Sequence, residues 1–450
     1  MITLDMTDHT VAALLGASVG LIFLWQIWSP WRDWIIANPP SYNPELATNY
    51  LALPSVFGSA VFSYLFWKYV SLDTLIVILA LMVITEVSKD SGLFQFIAVK
   101  SLKFSRGSPR RLLVIFCLLS FLMSSVLATT VLIIAPLTIL ACDALETNPG
   151  PFLISEAMVC NVGGITTMIS SIPCMLVAGA TLYDFLWFVI NLLPLALILF
   201  VVTLFISIRL FRRGLKMPRP ERIERLMLLD EWNMVEDRGV FYRTAILLAG
   251  VIIGFIILGS AGLSWLVALV GALLFIMFSG VHPERLFREV DWAALFFFIG
   301  LFLMVGLMEE FGVLHQIGEG LSNISQGNPL VATISMIWIT GMTSGAIDNI
   351  PVTATLIPVV NIVGGTAGME GAIGTLWASL TVSAVLGGAL TPIASAANVL
   401  TMSVAEKENR PISYSEFLKA GIILFFTYLL ISTGYMLIRL MFLPIPAPPI

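Results

Sequence analysis

The sequence predicts an all-α polytopic membrane protein made of two inverted-topology repeats, with about ten transmembrane helices, two re-entrant hairpins and helices broken at the midplane. Three observations predict it. Of the 450 residues, 58% are hydrophobic and 11% are charged, whereas soluble domains carry about 25% charged residues. Apolar runs long enough to cross a hydrocarbon core of roughly 30 Å, about 20 helical residues each, recur as far as Phe442. The basic residues of the short loops put an odd set of apolar segments between two loops on one side, which only a turn inside the membrane resolves. A β-barrel is excluded, because its strands would be short alternating segments.

The expected spans are 10–28, 52–70, 72–97, 152–180, 183–209, 242–259, 263–280, 290–310, 371–401 and 415–442. The first begins at Val11 after Asp5 and Asp8, with no basic flank and no small-residue cleavage site, so it reads as a retained helix and not a signal peptide. Lys100, Lys103, Arg106, Arg110 and Arg111 place 98–111 in the cytoplasm, and the basic stretch from Arg209 to Arg225 places the central linker there too. Segments 111–145, 152–180 and 183–209 cannot all cross between them. The segment 111–145, polar from Ser124 to Thr130, is therefore the first hairpin, and 329–365, with Asp348 and Asn349 near its tip, is the second. The domains follow as a first repeat 1–212, a cytoplasmic linker 213–241 and a second repeat 242–450. Weak internal likeness supports the division: Asp90-Ser91-Gly92 parallels Glu310-Phe311-Gly312, Pro136 parallels Pro358, and Gly163-Gly164 parallels Gly387-Gly388.

Function is bounded first by exclusion. No phosphate-binding glycine loop, dinucleotide fingerprint or nucleophile elbow occurs, so ATP-driven pumping and enzymatic chemistry lack support. No basic patch suits nucleic acid. Cys117, Cys142, Cys160 and Cys174 lie in apolar segments without metal-ligand spacing and read as structural thiols.

The positive signal is an acid at membrane depth. Asp348 precedes Asn349, Ile350 and Pro351, with no Lys or Arg between Glu289 and Glu406. A charge at the bilayer centre costs on the order of 2.5 to 3.5 kcal/mol by insertion scales, so such residues usually serve ion pathways. Proline and glycine free backbone carbonyls, and those oxygens with Asp348 and Asn349 suit a hard cation such as sodium. Thr353 lies on the same hairpin, and Thr391, Ser395 and Asn398 lie in the glycine-rich stretch after Gly387. The first-half counterparts are Ser125, Thr129, Thr130, Asn161, Thr166 and Thr167, with no carboxylate in the break. An N-cap role for Asp348 and close small-residue packing after Gly387 are the structural alternatives. Glu156, near the expected start of its span, suits the helix dipole there.

Asp348-Asn349-Ile350-Pro351 and Ala396-Ala397-Asn398 resemble motifs of the ion transporter superfamily, in the branch holding ArsB-type arsenite permeases, NhaD-type sodium/proton antiporters, the melanosomal P protein and citrate-transporter-like domains. The resemblance covers nearly the whole chain from about Val70. It implies two hairpins meeting two broken helices around a central site. The first half departs from that pattern, with Val126-Leu127 where the branch has Asp-Asn, and Ser170-Ser171-Ile172-Pro173-Cys174 where it has Gly-Asp-Pro-Pro-Asn.

The expectation is a multi-pass secondary transporter, a sodium/proton-type antiporter working by alternating access, with no cofactor beyond a bound sodium ion. Transport of arsenite or another small anion or carboxylate is the alternative, and a membrane scaffold with decayed transport is a third. The expected partners are a small inorganic ion or solute and the lipid bilayer, with a homodimer left open as the assembly.

Overall fold

The computed structural model describes residues 65–448, apart from 106–107, 127–130, 146, 213–231, 233–234, 236, 260–262, 280–282 and 370. The expected span 10–28, most of 52–70, most of the linker, and Thr129 and Thr130 lie outside the described residues. Every regular element among the described residues is helical. In chain order the helices are α1 (Leu72–Asp90), α2 (Leu93–Ser105), α3 (Pro109–Ser124), α4 (Val131–Ala144), α5 (Gly150–Gly163), α6 (Ile172–Thr181), α7 (Phe185–Leu210), α8 (Arg238–Leu258), α9 (Ser264–Ser279), α10 (Pro283–Glu289), α11 (Trp292–Glu310), α12 (Val313–Ser325), α13 (Pro329–Ala346), α14 (Asn349–Gly364), α15 (Ile373–Gly387), α16 (Ala396–Lys407) and α17 (Tyr414–Phe442).

Helices α7, α8, α11, α13 and α17 are long and apolar enough to cross a membrane. α8 is buried over only 22% of its apolar window, and Ile246, Ile253 and Ile257 point outward. That is the pattern of a helix whose outer face meets lipid. The interior is the reverse. Every residue of α5, and of α15 from Gly374 onward, is buried, as expected of helices apolar or small all round.

Several expected elements are subdivided. The expected span 72–97 is two helices, α1 and α2, because Gly92 takes φ +73° and turns the chain. Gly312 does the same at φ +72° between α11 and α12. Only glycine enters that left-handed region without steric cost. The loop expected at 98–110 is helical as far as Ser105, and 281–289 contains α10. The two expected hairpins are helix pairs, α3 with α4 and α13 with α14, and their second arms carry Pro136 and Pro358 within the helix.

The order α1 to α7 thus recurs as α11 to α17: a long helix, a glycine corner, a short helix, a hairpin, a broken pair and a long closing helix. Packing repeats with it. α3 lies along α5 as α13 lies along α15, and α7 covers α5 as α17 covers α15. The short helices after the breaks cross over, α6 packing on α14 of the second half and α16 on α4 of the first. The closing helices join the halves directly, since Tyr428 and Thr203 share a hydrogen bond of 2.8 Å and Tyr435 donates to the Asn191 carbonyl at 2.8 Å.

Candidate functional site

Two interruptions of the helical ladder make the site. After Gly163 the chain leaves the helix over 164–171, and after Gly387 it does so over 388–395, the same length. Each break is sealed against a hairpin. Thr167 donates to the Ser125 carbonyl at 2.6 Å, and Thr391 donates to the Gly345 carbonyl at 3.1 Å. Gly163 and Gly387 let the hairpin arms approach: a Cβ on the first would strike Ser124, and one on the second would lie 2.7 Å from the Gly341 carbonyl oxygen.

The carbonyls freed by the breaks are recaptured by side chains. The Gly164 carbonyl accepts from Ser170, Ser171 and Cys174 at 2.8, 2.7 and 3.2 Å. The Gly388 carbonyl accepts from Asn398 at 2.6 Å, and the Thr391 carbonyl accepts from the same amide at 2.9 Å. Cys174 and Asn398 therefore occupy matching positions, one at each break.

The two breaks are also bonded to each other. The Asn161 amide donates to Asn398 Oδ1 at 3.1 Å, and Ser395 donates to Asn161 Oδ1 at 2.8 Å. Asn161 is 3% exposed and Asn398 is fully buried. A buried amide network of this kind is stable only while its members remain paired.

The residues expected from sequence divide accordingly. Asn161, Ser395 and Asn398 form the joint, and Thr391, Thr167 and Ser125 clamp breaks to hairpins. Thr166 and Thr353 are buried, and their hydroxyls donate to carbonyls of their own segments, Gly163 and Asn349. Asp348 is half-buried at the start of α14 and accepts from the Ile350 amide at 2.8 Å. It is thus the N-cap, three residues beyond the carbonyl that Thr391 binds, with Asn349 buried beside it. N-capping and cation binding are compatible, since one carboxylate has lone pairs for both.

One acid was not among the residues singled out for the site. Glu156 sits in the middle of α5, is 3% exposed and accepts from Thr138 of α4 at 2.7 Å. Cys117, Cys142 and Cys160 lie within its electrostatic reach. Among the described residues it is the one acidic or basic side chain in the buried class. No group of three His, Cys, Asp or Glu suited to a metal occurs among the described residues.

A cavity of about 770 Å³ runs along α6 and α14, the helices that start at the first break and at Asp348. Its lining includes Thr74, Gly179, Glu309 and Asn361. At its edge Lys68 and Tyr69 both reach Glu310, each at 2.7 Å.

The fold has known counterparts. The YdaH transporter of Alcanivorax borkumensis superposes with a TM-score of 0.60 at 13% identity, covering 96% of this chain and 98% of that one. MtrF of Neisseria gonorrhoeae gives 0.59 at 13% identity, over 86% and 84%. An uncharacterized transporter of Mycobacterium tuberculosis is 32% identical over 82% of this chain and 86% of its own. The 46 kDa membrane protein of Mycobacterium leprae is 32% identical over 83% and 87%. The human P protein is 25% identical over 79% of this chain, which matches 52% of that longer protein. With the citrate transporter model matching residues 1–383, these relatives make the chain an integral, multi-pass membrane transporter that belongs to the citrate transporter family.

Proposed function

We propose that the chain is a secondary active transporter working by alternating access, that its halves are inverted repeats, and that it exchanges sodium for protons at Asp348. The observation that carries this reading is the joint between the breaks, in which Asn161 of one half is bonded to Ser395 and Asn398 of the other. Carbonyl and amide oxygens gathered there, with a carboxylate at the adjoining hairpin tip and no Lys or Arg in 112–208 or between Glu289 and Glu406, suit a desolvated cation. Sodium and a proton competing for one carboxylate give antiport directly, because each must leave before the other binds. The cavity along α6 and α14 is the access route. In proteoliposomes, Asp348→Asn is expected to cut sodium-dependent proton flux by at least about tenfold. Undiminished exchange by a folded mutant refutes the assignment.

Glu156 is assigned a second proton, carried beside the first break and linked to the hairpin arm α4 through Thr138. Glu156→Gln keeps an oxygen that Thr138 can bond, so thermal stability is expected to change by less than about 1 kcal/mol, while the pH profile of flux changes shape and retains only the part that Asp348 sets. A pH profile that matches wild type would leave Glu156 a structural residue.

The family description favours a second reading, a small carboxylate as the solute. The starts of α6 and α16 border the breaks, the start of α14 lies at the hairpin tip that Thr391 clamps to the second, and such helix starts can attract an anion without a basic side chain. Uptake of labelled citrate by the same vesicles separates the two.

A further inference from the structure

A cavity of about 1170 Å³ lies away from this site, between the end of α2 and the start of α3. Lys100, Lys103, Arg110 and Arg111 line it, and among the described residues no Asp or Glu does. Lys100, Arg110 and Arg111 sharing one cleft repel one another, so an anion between them lowers the energy of the arrangement. The start of α3 adds the positive end of a helix dipole.

The remaining walls are apolar. Phe96, Val114, Ile115 and Ile208 line them, and Phe104 stands 80% exposed at the rim. The Lys100 ammonium lies 5.6 Å from the centre of the Phe96 ring, which fixes the charge against the apolar wall. A small hydrated anion would satisfy the cations and leave these walls wet. A molecule with an anionic head and a hydrocarbon tail satisfies both.

Two helices of these walls carry a further exposed apolar face, at Leu118 and Leu122 of α3 and Val201 and Phe205 of α7. Basic residues also put this corner on the cytoplasmic side, where anionic headgroups attract juxtamembrane cations. We propose that the cavity binds one anionic phospholipid, its phosphate among Lys100, Arg110 and Arg111 and an acyl chain along Val114, Ile115 and Ile208. The lipid then braces α3, whose far end meets the first break through Ser125.

The test compares phosphatidylglycerol with phosphatidylcholine of identical chains, added to detergent-purified protein and followed by native mass spectrometry and thermal unfolding. Phosphatidylglycerol is expected to remain bound and to raise the unfolding temperature, whereas phosphatidylcholine and soluble glycerol phosphate do neither. The K100Q/R110Q/R111Q variant is expected to lose phosphatidylglycerol affinity by about fivefold per charge removed. Equal effects of the two lipids overturn the proposal, as does full phosphatidylglycerol affinity in the variant. Stabilisation by glycerol phosphate alone also overturns it, in favour of a soluble-anion site. If the triple variant does not fold, R110Q/R111Q carries the same comparison, and the wild-type lipid comparison needs no variant.

Discussion

Asn398→Ala is expected to abolish measurable transport and to lower stability by about 3 kcal/mol. The wild-type side chain donates to the Gly388 and Thr391 carbonyls and accepts from Asn161. Removing it leaves two carbonyls and part of an amide buried without partners, each worth about 1 to 3 kcal/mol in the general case. Hydrogen bonds between membrane helices average only about 0.6 kcal/mol, which keeps the total near the lower end. Function suffers more than stability, because the same side chain holds the second break open and ties it to the first. Asn161→Ala is expected to act on the same joint from the other side, so the double variant falls well short of the sum of the singles. Flux in proteoliposomes and thermal unfolding in detergent measure both effects. A folded Asn398→Ala protein with wild-type flux would rule the joint out as part of the transport site.

The second large effect is steric. Gly387→Ala places a methyl group 2.7 Å from the Gly341 carbonyl oxygen and from Ser344 Cβ, and Gly163→Ala drives one into Ser124. In neither place can a flexible side chain alone absorb the overlap, because a backbone carbonyl also stands within 3 Å. Overpacking of this kind costs about 1 to 3 kcal/mol, and each hairpin arm must shift away from the break it seals. We expect both variants to lose transport at expression levels where they still insert. Gly250→Ala is the control: a Cβ there meets nothing within 4 Å, and the change is expected to be neutral or to stabilise by up to about 1 kcal/mol. If Gly387→Ala behaved like Gly250→Ala, the close approach of hairpin and break would have no functional weight.

What could be read from the chain was whatever left a local mark. The hairpins and both breaks announced themselves through glycine, proline and hydroxyl residues inside apolar stretches, because such residues weaken a helix wherever they stand. The corner at Gly92 left the same mark in Asp90-Ser91-Gly92, yet the apolar run across it read as one span, since hydropathy carries no information about φ. The helical end of α2 was hidden for the opposite reason: its lysines looked like a loop, and they instead line a cleft. Glu156 was misplaced by the boundary of its helix. Read near the start of a span, it seemed a dipole-matched acid, whereas α5 begins at Gly150 and α3 and α4 bury the residue from outside its own segment. The bond between Asn161 and Asn398 spans 237 positions of sequence, and nothing local signals a partner so remote. The first half looked stripped of charge only because the acid it retains is half a helix away from its break.

The crossing over of α6 and α16 bears on how the protein is made. Each short helix finds its cover on the opposite half, and Asp143 at the end of α4 is paired with Arg410 beyond α16 at 2.7 Å. During synthesis the first half is therefore inserted with α6 lacking its cover on α14, whose first residue lies 168 positions beyond the end of α6. Whatever protects that segment in the interval, be it lipid or the insertion machinery, must let go only when the rest of the polypeptide arrives.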